Sequence, residues 1–585
     1  MARQGGSVHV DTRPRTYRAK DGSVREYRQA LLRRSFRNAA GKPSKETLAN
    51  LSALPDVAID AIRKILAGKT LVDVEESFTV ERSLAHGHVG AVHVMASQLR
   101  FAELLGPPCP ERDTAYALIL SRVVAPRSKL ATTQWWNDTS LGHDLGIVDA
   151  HSDAAYAAMD WLGARQVAIE KKLAGRHLES GGTAMFDLSS AWYEGTRCEL
   201  AKFGYSRDKK RGLPQVEFGL LTDGVGRPVA IRVFPGNTSD SRSFIDAVTT
   251  VRETFGLKNL TMIGDRGMIT NTRVKDLKDS PGLDWITALR APAIAALASD
   301  DGPLQMSLFD VQNFAEITHP DFPGERLVCC RNPALAQSRT HTRQELLTAT
   351  EQNLNTIVTS VEAGRLHGAA NIGKKIGKVI NRHKMEKHFT TSVTDDSFSY
   401  RRDEAKISAE GKLDGIYVIR TSVSAEKLSA SDVVGSYKNL TQVERDFRSI
   451  KSDDLDLRPI RHYRKNRVEA HIFLCMLASH LTWHLRHTLA PLTFTDDNVP
   501  HRDDPVAPAQ RSPQAKKKDA LKKSVDDVPL HNFTGLLEHL ATLTRNTISF
   551  AGQQFEKIAE TTPAQRRAFE LLGAPVPLTI TLPAK

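Results

Sequence analysis

From residue 181 onward the chain alternates short apolar runs with polar turns, and the runs carry the period of strands. GGTAMFDLSS is an apolar stretch that runs into hydroxyls, with Asp187 near its end. VEFGLLTDGVGRPVAIRVF holds two alternating runs around the turn-rich DGVGR, which predicts a hairpin. SDSRSFIDAVTTVRETFG has the period of an amphipathic helix, with Ser239 or Asp240 at its cap and Phe244, Val248, Val251 and Phe255 toward a core. NLTMIGDRG reads as another strand, ending at Asp265, and LDWITALR as a further one. The order β-β-β-α-β-(α)-β predicts a mixed α/β layer over 181–295.

The flanks have different textures. Residues 1–85 read as short strands and turns leading into the helix DVAIDAIRKILAG, and residues 86–180 as a run of helices. Residues 296–430 are irregular, with a strand RLVCC, a long helix around ELLTATEQNLNTIVTSVEAG and a strand DGIYVIRTS; they read as an insertion. Residues 431–490 return to regular helices. Residues 491–529, rich in Pro, Asp and Lys, read as a flexible linker, and 530–585 as a short helical tail.

The stretch GSYKNLTQVERDFRSIKSDDLDLRPI, from residue 435, reads as one helix and then a turn. Val443, Phe447 and Ile450 form its core stripe at i, i+4, i+7. Glu444, Arg448 and Lys451 recur at the same spacing on a polar stripe, with Tyr437 two turns before the glutamate. Alone, this describes a solvated face whose ion pairs are worth a few tenths of a kcal/mol.

Composition narrows the class. A chain of 585 residues with 40% hydrophobic and 25% charged positions is that of a soluble protein of several domains. The greasiest run, IFLCMLA, is far too short to span a bilayer, and no apolar leader opens the chain. Five scattered cysteines without a CxxC pair suggest a reducing, cytoplasmic setting. A net charge of +12 points to a polyanionic partner. Residues 1–50 hold twelve Lys/Arg against four Asp/Glu, among them Arg33, Arg34 and Arg37. GKKIGKVINRHKMEKH, with Lys374 and Lys375, and RPIRHYRKNR are further basic blocks, and three in one chain favour nucleic acid.

Asp187 and Asp265 each follow apolar residues at a strand end. Were the two strands parallel, both carboxylates would emerge at one sheet edge, where α/β folds place ligand sites, and Glu444 could join them from its helix. Three such acids repel one another unless a cation holds them. Oxygen-only ligation favours Mg2+ or Mn2+ over Zn2+, and two ions roughly 3.5–4 Å apart suit in-line attack on a phosphodiester. Singly, Asp187 could cap Ser189 or Ser190, and Asp265 could pair with Arg266. His480, His484 and His487 share a spacing that could bind a transition metal, although the polar side of an amphipathic helix accounts for them more simply.

MFDLSSAWYEG, FPGNTSDSRSF, MIGDRGMIT and YKNLTQVERDFRSIK resemble the boxes of bacterial insertion-sequence transposases of the DDE class, and more narrowly the group with a Y-(2)-R-(3)-E-(6)-K signature. The likeness is dense over 181–290 and 411–487. It implies an RNase H-like catalytic core interrupted by a β-rich insertion, with Asp187, Asp265 and Glu444 as the catalytic, metal-holding acids. It implies element-end cleavage and joining of 3′-hydroxyl ends to target DNA, with two Mg2+ or Mn2+ ions, on double-stranded DNA bearing terminal inverted repeats. A homodimer bridged by DNA and a nucleoid-associated location in the cytoplasm belong to the same expectation. Tyr437 and Lys451 keep the signature spacing, but Leu440 stands where the signature has arginine, and Arg448 is the candidate substitute. Tyr437, Arg448, Lys451, Arg266, Arg33, Arg34, Arg37, Lys374 and Lys375 form the expected DNA-binding set. Two alternatives stand beside this expectation: a DNA-end-binding protein with lapsed catalysis, and an RNase H-like nuclease without strand transfer.

Overall fold

A long polar hairpin opens the chain, because alternation rather than overall apolarity decides strand formation. Strands β1 (Ser7–Arg18), β2 (Val24–Arg37) and β3 (Pro43–Asn50) form an antiparallel sheet in that order. Helix α1 (Asp56–Leu66) covers it, burying Ile59 against Ala30 and Leu51. This sheet belongs to the first of two compact units in the computed structural model, Met1–Ser83 with Arg545–Ile558; the second is Leu84–Thr544 with Ala559–Lys585. Residues 6–38, 40–69, 71, 78–278, 282–299, 301–550 and 553–583 are described. A second small sheet joins β4 (Phe78–Ala85) to strands Thr544–Phe550 and Gln553–Ile558. The tail expected to be helical therefore contains a hairpin between the helices Phe533–Ala541 and Pro563–Leu571. TRNTISF carries the β-branched Thr544, Thr547 and Ile548 and ends on Phe550, residue types that favour a strand over the helical flanks.

The second unit begins with the expected helices: α2 (Gly87–Gln98), α3 (Pro110–Val124), α4 (Ser152–Ala164) and α5 (Gln166–His177). Next come β5 (Thr183–Trp192), β6 (Gln215–Asp223), β7 (Pro228–Pro235), α6 (Asp240–Thr249), β8 (Leu260–Ile263) and β9 (Leu283–Ala288), the order read from the sequence. The hairpin turn between β6 and β7 lies on DGVGR, as expected. Strand β8 is parallel to β5 on one side and to β9 on the other, while β6 and β7 extend the sheet antiparallel. The fold is thus a large mixed sheet with helices around it.

The insertion departs from its expected β-rich character. Strands β10 (Phe314–Ile317), β11 (Arg326–Arg331) and β14 (Ile416–Thr421) join the main sheet, giving the order β10-β11-β14-β9-β8-β5-β6-β7. Between β11 and β14 stand two helices, α7 (Pro333–Glu362) and α8 (Ala369–His383), with one small hairpin of β12 (Phe389–Val393) and β13 (Phe398–Arg402). Leu347, Leu354, Ile357, Ile372, Ile376 and Ile380 give this pair its own core. The long helical period of residues 333–362 sets the character here, and the strands at either end are too short to form a sheet alone.

The glutamate helix is also divided. Helix α9 (Ala430–Lys438) meets α10 (Leu440–Arg448) at Asn439, and a π-helical turn, Ser449–Asp453, follows. The Asn439 side chain donates to the carbonyl of Gly224 at 3.2 Å. Helix α11 (Lys465–Thr488) is buried on most faces, and no described helix is long and apolar enough to cross a membrane. The segment 491–529 is a correction to the linker expectation. Val506 is fully buried; its carbonyl accepts from Lys438 Nζ at 2.9 Å and from Asn332 Nδ2 at 3.4 Å. Asp504 accepts from Asn313 at 2.6 Å, and buried Lys518 donates to the carbonyls of Ala490 and Thr495 and to Asp497. Pro, Asp and Lys content suggests solvation, yet these groups are anchored by hydrogen bonds to distant elements.

Candidate active site at the edge of the sheet

Strand β5 does not end at Asp187 but continues to Trp192, because β6 pairs with it throughout. What ends there is its other neighbour. Parallel pairing with β8 stops at Met185–Ile263, and the same register carried two residues further sets Asp265 level with Asp187. The chain leaves the sheet just past Ile263, and the charge of Asp265 is felt at Asp187. Asp265 accepts from the backbone N–H groups of Gly267 and Met268, the latter at 3.2 Å, which fixes its carboxylate in a tight turn. A Cβ at position 267 would lie 3.0 Å from Asp265 Oδ1, so glycine permits that approach.

The third acid comes from α10. Val443, Phe447 and Ile450 are buried as their spacing predicts, and Phe447 meets Phe218 of β6 edge-on at 5.6 Å. Gly226, at φ +92°, lets Gln442 lie against the β6–β7 turn. The opposite stripe leaves Glu444 exposed, near enough for its charge to act on Asp187. Burial pushes the Asp187 carboxyl up to about 7, with the charges of Asp265 and Glu444 adding to it; the Leu188 N–H, at 2.8 Å, and Arg207 oppose the shift. Tyr437 shares this environment: burial first, then Asp265, Asp187 and Glu444, push its phenol up to about 12, against the pull of Arg266.

Of the expected DNA-binding residues, Tyr437 and Arg266 lie with the three acids, and Arg448 is exposed one turn beyond Glu444. Lys451 is a correction. It is only 9% exposed; its ammonium pairs with Asp208 at 2.6 Å and donates to Ser189 Oγ at 3.0 Å, so it ties the protein together and is not free for phosphate. Arg33 pairs with Asp11 at 3.0 Å, Arg34 with Glu46 at 3.7 Å, and Arg37 donates to the Gly41 carbonyl; these three belong to the first unit. Lys374 and Lys375 are exposed on α8. Leu440 opens α10 and is half-buried.

Sequence reasoning missed the polar group beside Asp187. Arg207 pairs with Asp240 at 2.5 Å and lies 3.6 Å from Glu217, and its N–H donates to Ser190 Oγ. Glu217 is buried, which pushes it up to about 7 against the pull of Arg207. The one available signal was an acid inside the otherwise apolar run VEFGLL. Asp187 feels the charges of both other acids, and carboxylates set near one another suit a hard divalent cation with oxygen ligands.

The family description "transposase DDE domain" matches residues 186–481, and "IS1634 family transposase, N-terminal domain" matches residues 14–75. No curated protein matches the chain. Among solved structures it is similar to the piggyBac transposase in a synaptic complex with hairpin DNA, at 9% identity and a TM-score of 0.30, over 64% of this chain and 66% of that one. The DDE match spans just over half of the chain, from the strand of Asp187 to the helix that follows Glu444. The chain therefore belongs to the DDE transposases of insertion sequences.

Proposed function

We propose that this transposase cleaves the ends of its insertion sequence and joins the freed 3′-hydroxyl ends to target DNA on an RNase H-like core. Asp187, Asp265 and Glu444 would hold two divalent ions, Mg2+ or Mn2+. What supports the reading is that the charges of Asp265 and Glu444 both add to the effect of burial in raising the Asp187 carboxyl. Bound there, paired ions supply activation of the attacking oxygen and stabilisation of the leaving one.

The chain's own part is positioning. The turn at Gly267 holds Asp265, the Leu188 N–H holds Asp187, and the buried face of α10 sets Glu444. Tyr437, with its phenol pushed up to about 12, stays protonated and serves as a hydrogen-bond donor rather than a nucleophile. Arg266 and Arg448 are exposed beside the acids and suited to phosphate. The substrate is double-stranded DNA. The basic sheet of the first unit reads the terminal inverted repeats, and two copies act together as a homodimer across the DNA.

The test is incubation with a duplex ending in the element's repeat and a supercoiled target. Joined product is expected. Hydrolysis without joining would leave a nuclease. Binding without either would leave an end-binder with lapsed catalysis, the reading that Leu440 at the signature arginine position favours.

A further inference from the structure

The C-terminus of α5 and the middle of α11 bring three imidazoles together away from the carboxylate site. His480 and His484 are one turn apart on α11, and His177 is the last residue of α5. One ring nitrogen of each lies within 4.8 Å of the other two. His487, which shares the helical spacing, does not join them: it stacks on Trp483 at 3.8 Å, and its Nδ1 lies 3.0 Å from that residue's carbonyl. No periodicity could reveal that His177 takes its place.

The hydrogen bonding is that of a site short of one partner. The Pro228 carbonyl can only accept, so His480 Nδ1, at 2.8 Å, carries the proton and leaves its Nε2 lone pair free. Metal-ligating histidines usually show this pattern, the far nitrogen donating to a carbonyl. His177 Nδ1 and His484 Nε2 are buried with no hydrogen-bond partner. Buried imidazole nitrogens left unpaired are costly, and two in one cluster with a third free lone pair call for a common partner. Of the two arginines whose charge reaches His177, Arg227 is answered by Asp223 at 2.7 Å, and Arg176 donates to the Leu99 carbonyl at 2.7 Å.

We infer that His177, His480 and His484 form a binding site for a borderline transition-metal ion such as Zn2+, distinct from the carboxylate site. Tetrahedral ligation at about 2.0–2.1 Å sets donor nitrogens about 3.3 Å apart, so the rings draw together from separations of up to 4.8 Å as the ion binds. Three imidazoles leave one position for water. Asp223 is not the fourth ligand, because Oδ1 accepts from the N–H groups of Val225 and Arg227 and Oδ2 from the Arg227 guanidinium. The site joins α5, α11 and, through Pro228, the start of β7, so its role is to staple the helices to the sheet.

The full chain, stripped with chelator and returned to excess Mg2+ to fill the carboxylate site, is titrated with Co2+. One equivalent is expected to give the intense visible band of a low-coordinate nitrogen site, displaced by Zn2+. His484→Ala should weaken binding at least tenfold, while His487→Ala keeps the band. Absence of a saturable band in wild type, or an unchanged one in His484→Ala, overturns the assignment. Should that variant not fold, the wild-type melting temperature decides: a rise with micromolar Zn2+ in excess Mg2+, kept in Asp187→Asn, supports the site, and no rise refutes it.

Discussion

The Lys451 ammonium lies 2.6 Å from the Asp208 carboxylate, and both side chains are nearly buried, at 11% and 2% exposure. Arg458 reaches the same oxygen at 2.6 Å, and Lys451 also donates to Ser189, two residues past Asp187 on β5. The residue at the end of the signature spacing therefore links the π-helical turn behind Glu444 to the strand of the first aspartate.

Breaking that tie should cost stability before it costs DNA affinity. Lys451→Ala leaves Asp208 paired with Arg458 alone in a buried setting, a loss on the order of 2 kcal/mol, below that of a buried charge left wholly unpaired. The expected result is a lower melting temperature with repeat binding unchanged in the folded fraction. Weaker binding at unchanged stability would instead make Lys451 a phosphate contact.

The docking of α10 rests on Phe447 against Phe218. Phe447→Ala should cost about 3–5 kcal/mol by cavity formation and release the glutamate helix. Cleavage is expected to fall further than DNA binding, measured side by side on one repeat duplex. Equal losses in both would mean that the helix orders the DNA surface rather than the acids.

Glu217 gives the site's surroundings a pH dependence. Its folded pKa of about 7 lies above that of an exposed glutamate, so the folded state holds a proton that the unfolded chain has released. The contribution to stability is full below about pH 4 and is lost as pH rises through 7. Glu217→Gln should therefore flatten the fall in melting temperature between pH 5 and 8 on the wild-type curve. Parallel curves for the two proteins would show that Glu217 is ionised at neutral pH in the fold.

The segment 491–529 should resist trypsin in spite of its Arg and Lys sites. Lys518→Ala removes three hydrogen bonds to Ala490, Thr495 and Asp497 and should make cutting at Arg502 and Arg511 several times faster. Equal rates would return the segment to a linker.

The main sheet was legible because its strands alternate and its turns carry Gly and Pro, so the order from Asp187 to LDWITALR could be read directly. The core stripe of Val443, Phe447 and Ile450 was legible for the same reason, and with it the exposure of Glu444. What failed depended on partners distant in sequence. Lys451 looked like a surface cation because Asp208 lies 243 positions earlier, in a basic loop with no strand or helix period. Arg207, Asp240 and Glu217 meet only after the sheet forms. The linker looked free because hydrogen bonds to carbonyls leave no mark on composition.

The central claim is that three acids act as one site. Cleavage of a duplex carrying the element's own end, in Mg2+ and in Mn2+, tests it by comparing wild type with Glu444→Gln, which keeps the shape of the side chain and removes one charge. Metal-dependent nicking at the repeat boundary by wild type, lost by at least a hundredfold in the variant while repeat binding persists, is the predicted result. Undiminished nicking by Glu444→Gln would contradict it.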